Sequence, residues 1–303
     1  MNNNATAMTL ASLVGDSLAL GAHWIYDTQL IDTKIGRVET LLPPFPGSYH
    51  PNRQQGEFTH YGDQTLALLE SLVKNNGFKL DAYAGDWQEL MQNYDGYMDK
   101  ASTAALENLQ AGTSPEASGS ASSDLGGAAR IAPLVAWYAN DLDSLVEAAQ
   151  SQTKMTHRAT ATVAGAEFLA KTAFKILHGT IPTKAIEESL EEGVADLDLD
   201  NRIRMGLDSA GKNSREVIGH FGQMCGVAAA MPGVIHLVAS YENDLRTALI
   251  ENVMAGGDSA ARGLATGMLL GAHLGLDAIP PDWLDGMRQH DHIVTLLEQL
   301  PTT

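Results

Sequence analysis

The chain of 303 residues carries 19 Lys plus Arg against 37 Asp plus Glu, a formal net charge of -18 at pH 7. With no cluster of cations to relieve that excess, phosphate backbones and anionic lipid repel it, so neither a nucleic-acid partner nor a membrane partner is expected. A 44% hydrophobic and 18% charged composition is ordinary for a globular protein, and the single cysteine, Cys225, excludes an internal disulfide and Cys-rich metal frameworks.

Met1 to Thr9 lack the basic and apolar segments of a signal peptide. Together with the lone cysteine this predicts a cytoplasmic protein, with residues 1–303 forming one domain. Apolar residues then recur at helical spacing rather than in strict alternation, as in Leu66, Leu69, Leu72 and Val73, in Ile131, Leu134, Val135 and Tyr138, and in Val163, Ala166, Phe168, Ala170 and Phe174. An all-α fold is predicted. Pro43-Pro44-Phe45-Pro46-Gly47 cannot continue a helix, so residues near 40–60 form a long ordered loop, and the Ser- and Gly-rich stretch 111–127 forms a second. Asp244 is placed to cap a helix running to Met254, which Gly256-Gly257 ends. In the last long helix Gly263, Gly267, Gly271 and Gly275 share one face. Each costs about 0.5 to 1 kcal/mol in a helix interior, which predicts close backbone approach of a neighbouring helix as the compensation.

Several patterns invite a chemical reading and fail it. Gly206 to Lys212 has the glycine and lysine spacing of a phosphate-binding loop, but Asn213 stands where Ser or Thr would bind magnesium and no buried strand precedes it. Cys225, between Met224 and Val227, reads as a small buried hydrophobe. His290-Asp291-His292 reads as a solvated helix end. Asp63 and Asp258 stand apart, since each follows a glycine break at the start of an apolar helix, the first in company with Glu57 and His60 and the second with Ser259 and Arg262. Capping accounts for either alone; two such starts converging in space would hold a divalent ion or activate water.

On these residues the chain resembles the ADP-ribosylglycohydrolases. Gly15-Asp16-Ser17-Leu18 is similar to that family's opening Gly-Asp-Ala-Leu-Gly, Asp63 to Leu68 to its Thr-Asp-Asp-Thr-Gln region, and Gly126 to Leu134 to its Ser-rich-loop motif. Thr156-His157 resembles a further marker, and Ala255-Gly256-Gly257-Asp258 through Leu284 resembles its C-terminal third. The resemblance implies a compact orthogonal helical bundle with a central acidic cleft, hydrolysing an ADP-ribosyl or related N- or O-glycosidic bond of a small-molecule or ADP-ribosylated substrate. The alternative is a catalytically silent ligand-binding or crystallin-like structural homologue.

Family enzymes hold two magnesium ions with a Thr-Asp-Asp triplet and an Asp-x-Asp-Thr quartet. Here these align with Tyr61-Gly62-Asp63 and Asp258-Ser259-Ala260-Ala261, leaving one carboxylate in each half, as in the J1-crystallin-like branch. The expectation is therefore no required cofactor, or one weakly bound magnesium ion on Asp63 and Asp258, and no dinuclear centre. Asp63 and Asp258 are expected to face each other as the catalytic pair. Asp16, His23, Glu57, His60, Gly62, Ser122, Ser123, Asp124, Gly126, Gly127, His157, Gly257 and Ser259 are expected to line or rim their cleft. Arg262, one helical turn beyond Asp258, is expected to project from the same side and supply part of the missing positive charge.

Overall fold

The computed structural model describes residues 3–301, which form helices joined by loops, with no strand among the described residues. The longer helices are α1 (Asn3–Ala19), α2 (His60–Asn75), α3 (Leu80–Gln92), α4 (Lys100–Gln110), α5 (Leu142–Thr156), α6 (Thr160–Leu177), α7 (Pro182–Glu191), α8 (Leu197–Asp208), α9 (Ser214–Phe221), α10 (Val227–Ser240), α11 (Leu245–Met254), α12 (Ser259–Leu274) and α13 (His290–Leu297). The fold is all-α, as the apolar periodicity predicts. Aspartate starts many of these helices: Asp99, Asp196, Asp244 and Asp258 each accept a hydrogen bond from a backbone N–H in the first turn that follows. Each such cap contributes about 0.5 to 2 kcal/mol.

The glycine stripe of α12 meets α1. A Cβ built at Gly263 would stand 2.5 Å from the Gly15 carbonyl oxygen, one at Gly267 2.2 Å from that of Ala11, and one at Gly271 2.6 Å from the Ala11 Cβ. Ser12 Oγ donates to the Leu264 carbonyl at 2.9 Å across the same contact. The two backbones therefore touch, and packing over the full length of both helices offsets the cost of the glycines. Residues 4–22 are long and apolar enough to cross a membrane by length and composition alone. In the fold they are buried, as the core helix against α12.

Two loops carry side chains toward the centre. From residue 36 to residue 59 the chain has no regular helix. It is tied down by Trp283 Nε1, which donates to the Glu39 carbonyl at 2.9 Å, by Ser17 Oγ on the Glu57 carbonyl at 3.0 Å, and by the Arg288 N–H on the Gly56 carbonyl at 2.9 Å. The second loop is pinned between two helices. Ser120 N–H donates to Thr156 O at 3.0 Å and Arg158 N–H to Ser120 O at 2.7 Å, while Leu125 N–H donates to Cys225 O at 2.8 Å and Val227 N–H to Ser123 O at 2.7 Å. It ends two residues earlier than the sequence suggests, because Gly126 and Gly127 begin the short helix Gly126–Ala129. The phosphate-loop look-alike is the end of α8 and the turn into α9, where Asn213 caps α9 through the Glu216 N–H.

Candidate active site

Asp258 is set by two glycines. Gly256 and Gly257 have φ of +73° and +69°, a region closed to most side chains, and a Cβ at Gly257 would stand 2.2 Å from the Gln223 carbonyl oxygen. Gly257 N–H donates to Ile25 O at 2.8 Å and Trp24 N–H returns a bond to Gly257 O at 2.9 Å, which draws residues 23–25 onto the start of α12. The Asp258 carboxylate is fully buried. Its Oδ1 lies 3.1 Å from His23 Nε2 and accepts the Ala261 N–H at 3.3 Å, and its Oδ2 accepts the Tyr61 hydroxyl at 2.9 Å. His23 Nδ1 lies 2.8 Å from Nε2 of His50, which the Pro-rich loop delivers in buried form.

Asp124 approaches from the other side. Both its oxygens lie within 3.3 Å of the Tyr61 hydroxyl, and Oδ1 accepts the Gly126 N–H at 2.8 Å. Cys225 completes the group: ligating atoms of Asp124, Cys225 and Asp258 all lie within 4.8 Å of one another. Burial, and next the negative charge of Asp258, push the Asp124 carboxyl up to about 8. Burial acts on Asp258 in the same direction, but the His23 hydrogen bond and charge, the Tyr61 hydroxyl and the field of Arg262 outweigh it and hold Asp258 well below the usual carboxylate range. At neutral pH one carboxyl of the pair is therefore protonated and the other ionised. Burial and the adjacent carboxylates hold the Tyr61 hydroxyl well above its ordinary value and push the Cys225 thiol up to about 12, so both keep their protons. Cys225 is half-buried beside Asp124 rather than sunk in apolar core, a placement that its flanking residues do not reveal.

Aromatic rings surround this group. Trp24 adopts φ +64°, rare for a bulky residue, and stacks on His23 at 4.3 Å between centroids. Tyr49 and Tyr97 meet Trp24 edge-on at 5.2 and 4.8 Å, and Tyr49 remains 61% exposed, so it forms the rim. Behind them His60 is buried with neither ring nitrogen hydrogen-bonded, and its Nε2 stands 3.7 Å from Asp99 Oδ2. Burial pulls His60 down to about 4 against the pull of Asp99, and burial with the Arg130 charge pulls His157 down to about 3.

The structure divides the residues expected at the cleft. It brings His23, His60, Asp124 and Asp258 together. Asp16 and Gly62 lie beneath, where Asp16 accepts the Gly62 N–H at 3.1 Å and the Thr59 hydroxyl at 2.6 Å and so caps α2. Ser122 Oγ accepts the Asp124 N–H at 3.2 Å, and the Ser123 carbonyl accepts Val227 N–H, so both serines support the loop instead of facing a ligand. Gly126 and Gly127 leave room for Tyr61 and His157, whose rings a Cβ would meet at 2.1 and 2.6 Å. His157 is a core histidine bonded through Nδ1 to Thr156 Oγ1 at 2.8 Å. Glu57 accepts the Gln54 N–H at 2.7 Å within its own turn, and Ser259 opens α12.

Two expectations are corrected. Asp63 does not face Asp258: positions 61 and 63 are about 200° apart around α2, so Tyr61 takes the central place and Asp63 turns outward. There its Oδ2 accepts Arg53 Nη2 at 2.8 Å and the Tyr94 hydroxyl at 2.5 Å, beside a cavity of about 360 Å³ lined by Leu66, Glu70, Glu89 and Leu90. Arg262 pairs with neither aspartate. It is fully buried, donating from Nε to Asn252 Oδ1 at 3.1 Å and from Nη2 to the carbonyls of Asn252 and Gly256 at 3.3 and 2.6 Å. It closes the C-terminal end of α11 and reaches Asp258 through its field alone.

The residues present do not fit a magnesium site. Asp63 and Asp258 share no ligand position, and both oxygens of Asp258 already receive donors. Ala260 and Ala261 bring no oxygen-bearing side chain. A thiol with two carboxyls, one of them protonated, is not the hard oxygen cage that magnesium requires.

Comparison with known proteins agrees with the architecture. A family model described as ADP-ribosylglycohydrolase matches residues 1–303. Crystallin J1A of Tripedalia cystophora is 28% identical over 320 residues, covering 98% of this chain and 96% of that protein, and Crystallin J1B of the same animal is 26% identical over 308 residues, covering 94% and 92%. A solved structure described as an ADP-ribosylglycohydrolase-related protein complex superposes with a TM-score of 0.81 at 23% identity, covering 99% of this chain and 97% of that one, and shares its fold. The chain belongs to the ADP-ribosylglycohydrolase family, on its J1-crystallin-like branch.

Proposed function

We propose that the protein hydrolyses an N- or O-glycosidic bond of an ADP-ribosyl or related ribosyl substrate, without a magnesium centre, using Asp124 and Asp258 as a pair of opposite protonation. The observation that carries this reading is the Tyr61 hydroxyl set between the two carboxyls, 3.1 Å from Asp124 Oδ2 and 2.9 Å from Asp258 Oδ2. Two carboxyl groups whose environments drive their pKa values apart supply an acid and a base at one pH. Asp124, the more exposed, gives its proton to the leaving atom as the glycosidic bond breaks. The positive charge that develops at the anomeric carbon is stabilised by ionised Asp258, and water then adds to that carbon, its released proton restoring Asp124. Trp24, Tyr49 and Tyr97 offer ring surfaces at the rim for a planar group of the substrate.

The test is hydrolysis of ADP-ribosylated arginine, ADP-ribosylated serine and simpler ADP-ribosyl derivatives in the presence of chelator, with Asp124→Asn and Asp258→Asn as controls. Turnover by the wild type that both variants lose supports the reading. A second reading, a ligand-binding or crystallin-like homologue without turnover, draws on one observation: Gly62, Ala260 and Ala261 stand where the family carries metal ligands. Ligand-induced thermal stabilisation with no product would favour it.

A further inference from the structure

The two rim tyrosines come from segments without regular helix. Tyr49 lies in the Pro-rich loop, and Tyr97 in residues 93–99, between α3 and α4. Their rings meet edge-on at 5.6 Å, and each also meets Trp24. Among the described residues neither tyrosine makes a side-chain hydrogen bond, so where the rings stand is set by how the two segments are held.

One side chain holds both. Arg53, in the same loop as Tyr49, donates from Nη2 to Asp63 Oδ2 at 2.8 Å and from Nη1 to Asp95 Oδ1 at 3.0 Å. It thereby joins the Pro-rich loop to α2 and to the segment that carries Tyr97. Asn52 Nδ2 adds a bond to the Asp95 carbonyl at 2.8 Å. Tyr94 donates its hydroxyl to the same Asp63 oxygen at 2.5 Å and sets its ring 5.1 Å from the guanidinium carbon. Gly96 makes the space, since a Cβ there would stand 2.5 Å from Arg53 Nη2. The Arg53 side chain is only 12% exposed, and its planar fork lets it bind carboxylates on two segments at once. Asp95, by contrast, is 72% exposed, so its ion pair adds little to stability. What that pair does add is a fixed distance between the two segments.

We propose that Arg53 is a positioning residue that holds Tyr49 and Tyr97 as a preformed wall for the planar group of the substrate, with Asp63 as its anchor and Asp95 as its tie to Tyr97. This rests on the glycohydrolase reading for the identity of the ligand but not for the placement of the rings. Ordering two side chains before binding rather than during it is worth on the order of tenfold in affinity.

The experiment is ¹⁹F NMR of the full-length protein labelled with 3-fluorotyrosine, with Tyr49 and Tyr97 assigned through Tyr49→Phe and Tyr97→Phe. It is paired with steady-state kinetics on ADP-ribosylated arginine, for the wild type, Arg53→Met and Asp95→Ala. In the wild type the ring current of Trp24 should displace both signals from that of free tyrosine, and in both variants they should move back toward it. KM should rise on the order of threefold to tenfold in Arg53→Met and less in Asp95→Ala, with kcat retained within about twofold. Adding Arg53→Met to Tyr49→Ala/Tyr97→Ala should raise KM little further, because the rings it positions are gone. An arginine that merely neutralises Asp63 would leave Asp95→Ala silent and its KM effects additive. Unchanged fluorine signals in Arg53→Met overturn the proposal, as do signals that move with KM unaltered, or KM effects that add in full. If Arg53→Met does not fold, Asp95→Ala, a change at an exposed side chain, decides it alone. A wild type that hydrolyses no ribosyl substrate would refute the glycohydrolase reading, and the fluorine spectra would then decide the positioning role by themselves.

Discussion

Asp16 occupies the space that a side chain at position 62 would need: a Cβ on Gly62 would stand 2.5 Å from Asp16 Oδ1. Gly62 is helical, so its role is to admit a buried carboxyl from α1 rather than to adopt an unusual backbone angle. Asp16 uses that space to accept the Thr59 N–H at 2.8 Å, the Thr59 hydroxyl and the Gly62 N–H, joining α1 to the first turn of α2. The carboxylate that the family triplet carries at this position has no room here.

Gly62→Ala should accordingly destabilise the fold by about 1 to 3 kcal/mol through overpacking. Gly62→Asp should cost more, and should fail to create a magnesium site, because two carboxyls would compete for one buried space. Urea denaturation and magnesium titration calorimetry check both. An unchanged denaturation midpoint for Gly62→Ala would show that Asp16 moves aside at no cost.

The pH profile follows from Asp124. If it must be protonated to act, kcat/KM is level through neutral pH and falls about tenfold per unit above about pH 8. Asp124→Asn should remove that limb and lower the rate on the order of 10²- to 10⁴-fold. Stability has the same sign for Asp124 and for Asp16, which burial also raises to about 8. Each folded carboxyl holds its proton more tightly than the unfolded one. Their stabilising contribution is complete below about pH 4, declines as pH rises, and is gone above about pH 8. Asp258, depressed in the folded state, works in reverse: its contribution is present above about pH 4 and is lost as pH falls. A rate that rose with pH through 8 would remove Asp124 from the acid role.

Tyr49 is expected to act on binding alone. It touches the site through ring contacts with Trp24 and Tyr97, and its exposure leaves it free to meet a ligand. Stacking of a planar group on an aromatic side chain is worth about 1 to 3 kcal/mol. Tyr49→Ala should raise KM by roughly tenfold or more with kcat retained. An unchanged KM with a lowered kcat would place Tyr49 in the chemistry instead.

What the sequence disclosed and what it concealed follow from how far each signal acts along the chain. The Asp244 cap and the Pro-rich loop are local patterns whose physical causes lie within a few residues, and each is found where expected; of the four striped glycines Gly263, Gly267 and Gly271 lie in α12 against α1, whereas Gly275 leaves the helix as its cap at φ +76°. Asp258 was legible for the same reason. Asp63 was not, because its outward turn depends on Arg53 and Tyr94, which reach it from a loop and from the residues following α3. Tyr61 enters the sequence reading only as the first residue of the segment aligned with the family triplet, and its hydroxyl is made central by two carboxyls from distant segments. His50 lies in the loop expected near residues 40–60, and only its burial among the rings of His23, Trp24, His60 and Tyr97 distinguishes it. Position two residues away along a helix reverses the face presented, so a motif match places a segment more securely than a side chain.

Removal of divalent ions should leave the protein unchanged. Asp63 is satisfied by Arg53 and Tyr94, and Asp258 by His23, Tyr61 and the Ala261 N–H, so no ion is needed to hold either carboxylate. Treatment with EDTA is expected to alter neither the thermal midpoint nor any activity, and added magnesium to restore nothing. A chelator-induced fall in either quantity would mean that these contacts give way to a metal in solution.

Arg262 yields the sharpest separation between the sequence expectation and the structure. A ligand-binding arginine would leave stability intact when replaced and abolish binding; a structural one does the opposite. Here the guanidinium gives three hydrogen bonds to Asn252 and Gly256, among them two backbone carbonyls at the end of α11 that the helix itself cannot satisfy. Burial pulls it down to about 10 and the Asp258 charge opposes that pull, so it stays charged at neutral pH and complements the carbonyl end of the helix. Replacing it leaves those acceptors buried and unpaired and opens a void beneath the Gly256-Gly257 turn that sets Asp258. Arg262→Ala should therefore lower stability by about 3 to 5 kcal/mol. Arg262→Lys should recover only part of this, because one ammonium cannot reproduce the planar spread of donors. Equilibrium unfolding in urea measures both. An Arg262→Ala protein with wild-type stability and no affinity for ADP-ribose would return Arg262 to the ligand and contradict the placement of its side chain.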